Sequence, residues 1–373
     1  MSTLGAELIA TVLSFVAELS SIKAYAFVSR TWRTAVRRVL FTSIRLASTS
    51  STRLLLRSLA SSPELLVLPR SLSFVKGTRR RPASTRKGKG EVSVEDSLTP
   101  EDVVLVTTRL AFTALSLRDL AFSTFRRRQV NFVLSLPSPL TSLSILARLD
   151  EHSSGFNLHT IGQLLSNLPS LTHLALRNIH VVPSALAGLL PPTFSLQSLA
   201  LFNFAGPSLE PAHLRWLLRS TSHSESLRRL ALEWNGDSPR VLNPVRYAAL
   251  RVTHLALSSS HSGVPESLAI HFPSLKVLQV RSTKPVDVGR MLGNLEGPLD
   301  VLVDRSAGPG AGVDPGDLAQ VLRRGGLESI GELKGVRIAR TSEELVMACV
   351  GVGARLEVRE SRLDPHEPFI PSR

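Results

Sequence analysis

One hydrophobic pattern, apolar-x-x-Leu-x-apolar, recurs along the middle of the chain. It reads LTSLSI at 140–145, LTHLAL at 171–176, LQSLAL at 196–201, LRRLAL at 227–232, VTHLAL at 252–257 and LKVLQV at 275–280, and FTALSL at 112–117 begins the same way. The alternation predicts short strands that bury one side chain in two. The central leucines, Leu143, Leu174, Leu199, Leu230, Leu255 and Leu278, follow one another at 31, 25, 31, 25 and 23 residues. The intervening stretches HTIGQLLSNL, PAHLRWLLRST, VPESLAIHF and VDVGRMLGNL carry apolar residues at i, i+3 and i+4, which predicts helices. Pro183, Pro211 and Pro265 stand near helix starts, where the missing N–H is least costly.

A strand that alternates with a helix once per repeat buries its leucine side against that helix. Stacked units then give a parallel sheet with helices outside it. The spacing overlaps and slightly exceeds the leucine-rich-repeat period. Asn, which often closes the strand segment in regular arrays, occurs only in places, as in ALRNI and ALFNF. Toward the C-terminus LDVLVD, GVRIA and RLEVRE read as strands. DLAQVLRR reads as a helix stopped by Gly325-Gly326, and Thr341 with Glu344 as the capping box of another. Toward the N-terminus LFTSIRL (40–46) and RSLSFV (70–75) read as the first two strands.

Residues 4–38 follow a different rule. Leu4, Leu8, Val12, Phe15 or Val16, and Leu19 recur at helical spacing. Ser20 and Ser21 are candidate caps of a second helix with Ile22, Tyr25, Ala26 and Val28 on its apolar face. Ser29 is the candidate cap of a third, RTWRTAVRRVLF, with Trp32, Val36 and Val39/Leu40 in line. This stretch resembles an F-box-like domain. Leu4, Glu7, Leu8 and Ile9 match its opening, Val12, Leu13 and Phe15 its first helix, and Val28, Ser29, Arg30, Trp32 and Arg33 its closing signature. Gly5 stands where the family usually has proline, and IKAYAFV departs from its Leu-rich spelling.

Taken with the repeats, the chain resembles a fungal F-box protein with degenerate leucine-rich repeats. The implied fold is α/β: a leucine-rich-repeat solenoid (a parallel-sheet horseshoe with outer helices) preceded by a small three-helix F-box-like head. The head spans 1–41, the solenoid 42–360 with a basic disordered loop at 76–91, and a flexible tail 361–373. The resemblance implies that the head docks on a Skp-type adaptor of a cullin-RING (SCF-type) ubiquitin ligase and that the repeats recruit the target protein. Leu4, Glu7, Leu8, Ile9, Val12, Leu13, Val28 and Trp32 are the candidate adaptor contacts. The alternative is a non-ligase leucine-rich-repeat scaffold whose helical head is only a solenoid cap.

Composition narrows the partners. A 43% hydrophobic, 20% charged chain forms a core rather than staying disordered. The lone Cys349 excludes an internal disulfide and a thiolate zinc site, and fits a cytoplasmic or nuclear setting. No basic residue precedes the apolar N-terminal run, and Glu7 and Glu18 interrupt it, which argues against a signal peptide. No uncharged run reaches transmembrane length, so no membrane partner is expected. Half of the net charge of +14 sits between Lys76 and Lys89, in KGTRRRPASTRKGKG. That segment reads as a solvated loop, a nuclear-import signal or a patch for acidic partners. With aromatics at 5%, stacking platforms for nucleic acid are not expected.

No nucleophile elbow, zinc-protease, phosphate-loop or kinase signature occurs, so neither catalysis nor a cofactor is expected. Function then falls to the residues flanking each central leucine, which point away from the helices. On that concave face His173, Arg177, Phe202, Arg229, Glu233, His254, Gln279 and Arg281 are the candidate target contacts, bordering a column of Ser and Ala. Small residues there suit either tight strand stacking or a groove for an extended or acidic peptide. His173 and His254 occupy equivalent positions, but Arg229 lies between them and no carboxylate or thiol is near, so no metal is expected.

Overall fold

The computed structural model describes residues 5–14, 19–75, 98–120, 140–147, 158–179, 188–202, 211–224, 226–234, 250–259, 272–293, 295, 297–306, 311–324, 333–338 and 340–358. Leu4, Phe15, Val16, Pro183, Pro265, the basic segment 76–91 and the tail 361–373 lie outside them. The chain forms two compact units, 1–155 and 156–373.

The first unit opens with three helices, α1 (Ala6–Ser14), α2 (Leu19–Tyr25) and α3 (Arg30–Thr42). Ile9 and Leu13 of α1, Ile22 of α2 and Ala35 and Val36 of α3 form their core, with Trp32, Val39 and Leu40 packed against it. Ser29 caps α3, its side chain accepting from the Trp32 N–H at 3.3 Å. Ser20 and Ser21 lie within α2 rather than capping it. The helix α3 runs on to Thr42, so the strand expected at 40–46 is only β1 (Ser43–Leu46). Leu40 continues the helical stripe of Val36 and Val39, and Thr42 Oγ1 donates to the Arg38 carbonyl at 2.7 Å.

The same unit continues with α4 (Thr49–Ser61), a 3-10 turn (Pro63–Val67), β2 (Ser71–Val75), α5 (Pro100–Arg109), β3 (Ala114–Leu120) and β4 (Ser142–Ala147). Thr99 and Asp102 form a capping box at α5, and Asp102 also accepts from Thr49 Oγ1 at 2.6 Å, tying α5 to the start of α4. The four strands pair in parallel, with Ile44, Leu72, Leu115 and Leu143 in one row.

In the second unit the order is α6 (Leu158–Ser166), β5 (His173–Arg177), β6 (Ser198–Phe202), α7 (Pro211–Ser224), β7 (Arg229–Trp234), β8 (His254–Ser259), β9 (Val277–Ser282), β10 (Pro285–Val286), α8 (Val288–Gly293), β11 (Val301–Asp304), β12 (Gly312–Val313), α9 (Pro315–Arg324), β13 (Gly335–Ile338), α10 (Glu343–Gly351) and β14 (Arg355–Val358). Eight of these strands run parallel in chain order, β10 and β12 forming a separate small pair. With the four strands of the first unit this makes an α/β architecture of twelve parallel strands and no closed barrel. Leu174, Leu199, Leu230, Leu255, Leu278 and Leu302 stand in one row, all buried. Burying each such leucine contributes about 1.5–3 kcal/mol.

One backbone device fixes this register. A single carbonyl before each strand accepts two consecutive N–H groups from the next repeat. Thr172 O takes Gln197 and Ser198, Gln197 O takes Arg228 and Arg229, Arg228 O takes Thr253 and His254, and Thr253 O takes Lys276 and Val277, all at 2.8–3.1 Å. A slip by one residue would break both bonds and turn the leucines outward. Pro211 is the first residue of α7, as expected, but the cap of α10 is Ser342, accepting from Leu345 N–H at 3.2 Å, not Thr341. The glutamates at 343 and 344 open that helix one residue later than the capping-box spacing suggested.

The turn after β11 holds a buried polar junction. Asp304 accepts from the N–H groups of Ser306 and Val313, both at 2.9 Å, and Ser306 Oγ accepts from Ser282 N–H at 2.8 Å. Gly312 closes it with φ +76° and packs directly on Ser306 and Asp304, so a glycine is required there.

Candidate functional site

Strand alternation sorts the sheet face of the second unit into three columns. The first holds His173, Ser198, Arg229, His254 and Val277; the second Ala175, Ala200, Ala231, Ala256 and Gln279; the third Arg177, Phe202, Glu233, Ser258 and Arg281. The second column is not the floor of an open groove. Its four alanines are buried and cluster with Phe202, also buried. Small side chains let neighbouring rows close over them, and that closure removes the area an open groove would offer. Of the expected contacts, His173, Arg177 and Arg281 are half-buried, Phe202 is corrected from exposed contact to core residue, and the Glu233 side chain lies outside the described residues.

A shallow pocket opens where the alanine column gives way to Gln279. It holds about 30 Å³ and is lined by Ser198, Arg229, His254, Val277 and Gln279 with the adjacent alanines. That is room for a water or two and no organic cofactor. Gln279 is 7% exposed, and its Nε2 has no hydrogen-bond partner among the described residues. A buried donor left unmade costs about 1–3 kcal/mol, so the site is short of one acceptor. Burial pushes the His254 imidazole below its ordinary pKa of 6.5, and the neighbouring Arg229 cation pushes it further the same way. Thr253 Oγ1, 2.9 Å from Nδ1, holds the ring. Among the described residues Arg229 pairs with no carboxylate.

Arg229, His254 and Gln279 are thus brought together, while His173, Arg177, Phe202 and Arg281 do not line the pocket. Ser198 was not among the expected contacts; its place in register beside Arg229 was the available signal. His173 and His254 are separated by the strands of Ser198 and Arg229. Among the described residues no three His, Cys, Asp or Glu side chains gather for a metal. Cys349 is buried on α10, and that burial pushes its thiol pKa up, which disfavours the reactive thiolate.

The helical cluster divides its expected contacts in two. Leu8 and Val12, one turn apart on α1, are 58% and 56% exposed, and Glu7 beside them is exposed. Ile9 and Leu13, rotated by one residue, are buried in the cluster's core. They hold the helices together and cannot touch a partner, a correction to their expected role. Val28 is exposed in the turn before α3, where Phe27 reaches 85% exposure. Trp32 is half-buried, its ring 5.2 Å from that of Tyr25, so it fastens α3 to α2.

No model of a known protein family matches the chain, and no curated protein matches it. No helix among the described residues is long and apolar enough to cross a membrane.

Proposed function

We propose that the chain is the substrate-recognition subunit of a cullin-RING (SCF-type) ubiquitin ligase. In this reading the three-helix cluster is an F-box-like head that binds a Skp-type adaptor, and the strand array is a leucine-rich-repeat solenoid that binds the target in the cytoplasm or nucleus. The observation that carries it is the divided face of α1. Ile9 and Leu13 satisfy the cluster's own core, yet Leu8 and Val12 leave a second apolar stripe exposed, with Phe27 and Val28 exposed in the turn before α3. A stripe at i and i+4 on a folded helix fits a helix-in-groove contact. The protein has no catalytic part in this scheme; it positions a target for another subunit.

The test is co-purification with a Skp-type adaptor. Leu8→Asp places a charge in the contact and should weaken binding at least tenfold, since burying one leucine is itself worth about 1.5–3 kcal/mol. The thermal midpoint should hold, because Leu8 is outside the core. Failure of the wild-type protein to associate with the adaptor by calorimetry overturns the proposal.

A second reading draws on α3 running into β1 without an intervening loop. The cluster is then a cap on a non-ligase scaffold, and the same calorimetry decides between the two.

A further inference from the structure

The pocket bounded by Arg229, His254 and Gln279 brings hydrogen-bond donors and a cation together. Gln279 has an amide nitrogen buried without an acceptor. Arg229 stands two strands away in the adjoining column, with His254 on the strand between, and has no carboxylate partner among the described residues. The remaining lining is Ser198, Val277, two alanines and three leucines, which adds a hydroxyl and no negative charge. The chemical complement to this lining is an acceptor that carries negative charge. The pocket is small and shallow, about 30 Å³, a size that suits the tip of a side chain. A planar carboxylate matches a single guanidinium and one amide donor. A phosphate dianion would present more oxygens and more charge than one fixed cation and one amide answer.

We propose that this pocket receives the side-chain carboxylate of an Asp or Glu in the protein that docks on the sheet face. The proposal rests on reading that face as the target-binding side and specifies its ligand: an acidic side chain, with Arg229 supplying charge and Gln279 the directed hydrogen bond. Ala231 and Ala256 line the pocket beside Gln279.

The test uses the full-length protein and two capped tripeptides, acetyl-Ala-Glu-Ala-amide and acetyl-Ala-Gln-Ala-amide, with inorganic phosphate as a third probe. The readout is the NMR signal of the Gln279 side-chain amide, assigned by its loss in Gln279→Leu. The glutamate peptide should shift that signal saturably, and the glutamine peptide should bind at least tenfold more weakly. Arg229→Gln should weaken the glutamate peptide at least tenfold with an unchanged thermal midpoint, whereas Lys276→Gln, which removes a like charge outside the pocket, should not. Equal affinity for both peptides, or undiminished binding by Arg229→Gln, overturns the proposal. So does phosphate binding more tightly than the glutamate peptide, which would make the pocket a phosphate site. Adaptor binding by the helical cluster uses none of these residues, so its absence would leave the peptide result standing, and failure of the peptide test would leave the adaptor reading intact.

Discussion

Gly312→Ala would strike the buried polar junction after β11 in two ways at once. At φ +76° an alanine pays for a left-handed backbone, roughly 1–2 kcal/mol. Its methyl group would also lie 2.6 Å from Asp304 Oδ2 and closer still to Ser306, so one or both side chains must move. Asp304 then releases the Val313 N–H, or Ser306 the Ser282 N–H, and each lost buried bond costs about 1–3 kcal/mol. The combined loss is roughly 2–5 kcal/mol, a large share of the ~5–15 kcal/mol that holds an ordinary domain folded. Gly353→Ala is the matched control. Gly353 has φ +71° with no atom in the way, so only the backbone cost should appear. Guanidinium unfolding followed by circular dichroism gives both numbers. Hydrogen exchange should place the weakened region at 282–313 in Gly312→Ala alone. If the two variants lose equal stability, the contact of Gly312 with Asp304 and Ser306 is refuted.

Ala200→Leu should destabilise the protein by about 1–3 kcal/mol in the same assay, because Ala200 is buried between Ala175 and Ala231; a neutral result would mean that the column is open after all. His254 offers a test by pH. Its folded-state pKa lies below 6.5, so the unfolded chain takes up that proton first, and its contribution to stability falls as pH drops below 6.5. His254→Gln should therefore lose less stability than the wild type between pH 6.5 and 5, and superimposable profiles would contradict the assigned burial beside Arg229.

The strand array was legible in the sequence because alternation and register are the same information. Once Leu174, Leu199, Leu230, Leu255 and Leu278 are placed at matching positions, parallel pairing puts them in one row. Spacing also named the outward columns, but it cannot tell whether a face is covered. Ala200 and Phe202 alternate as surface residues and are nonetheless buried. A similar ambiguity affected α1, where two apolar stripes one residue apart both satisfy helical periodicity; only packing against Ile22 and Val36 selects Ile9 and Leu13 as the inner one. The polar junction lay in a stretch, SAGPGAGVDPG, that reads as an irregular turn. The bond from the Val313 N–H to Asp304 spans nine residues, and no local pattern encodes it.

The shared carbonyl at the start of each strand separates register from the length of chain between strands. Because pairing is set at the strand itself, the connecting segment is free to grow. From Leu72 to Leu115 the chain travels less than twice as far as from Leu174 to Leu199, yet the two leucines align as before. A loop less than doubled in length costs under about 0.6 kcal/mol more to close. The same device stands between β2 and β3, where Arg70 O takes the N–H groups of Thr113 and Ala114 and aligns the two strands at their starts.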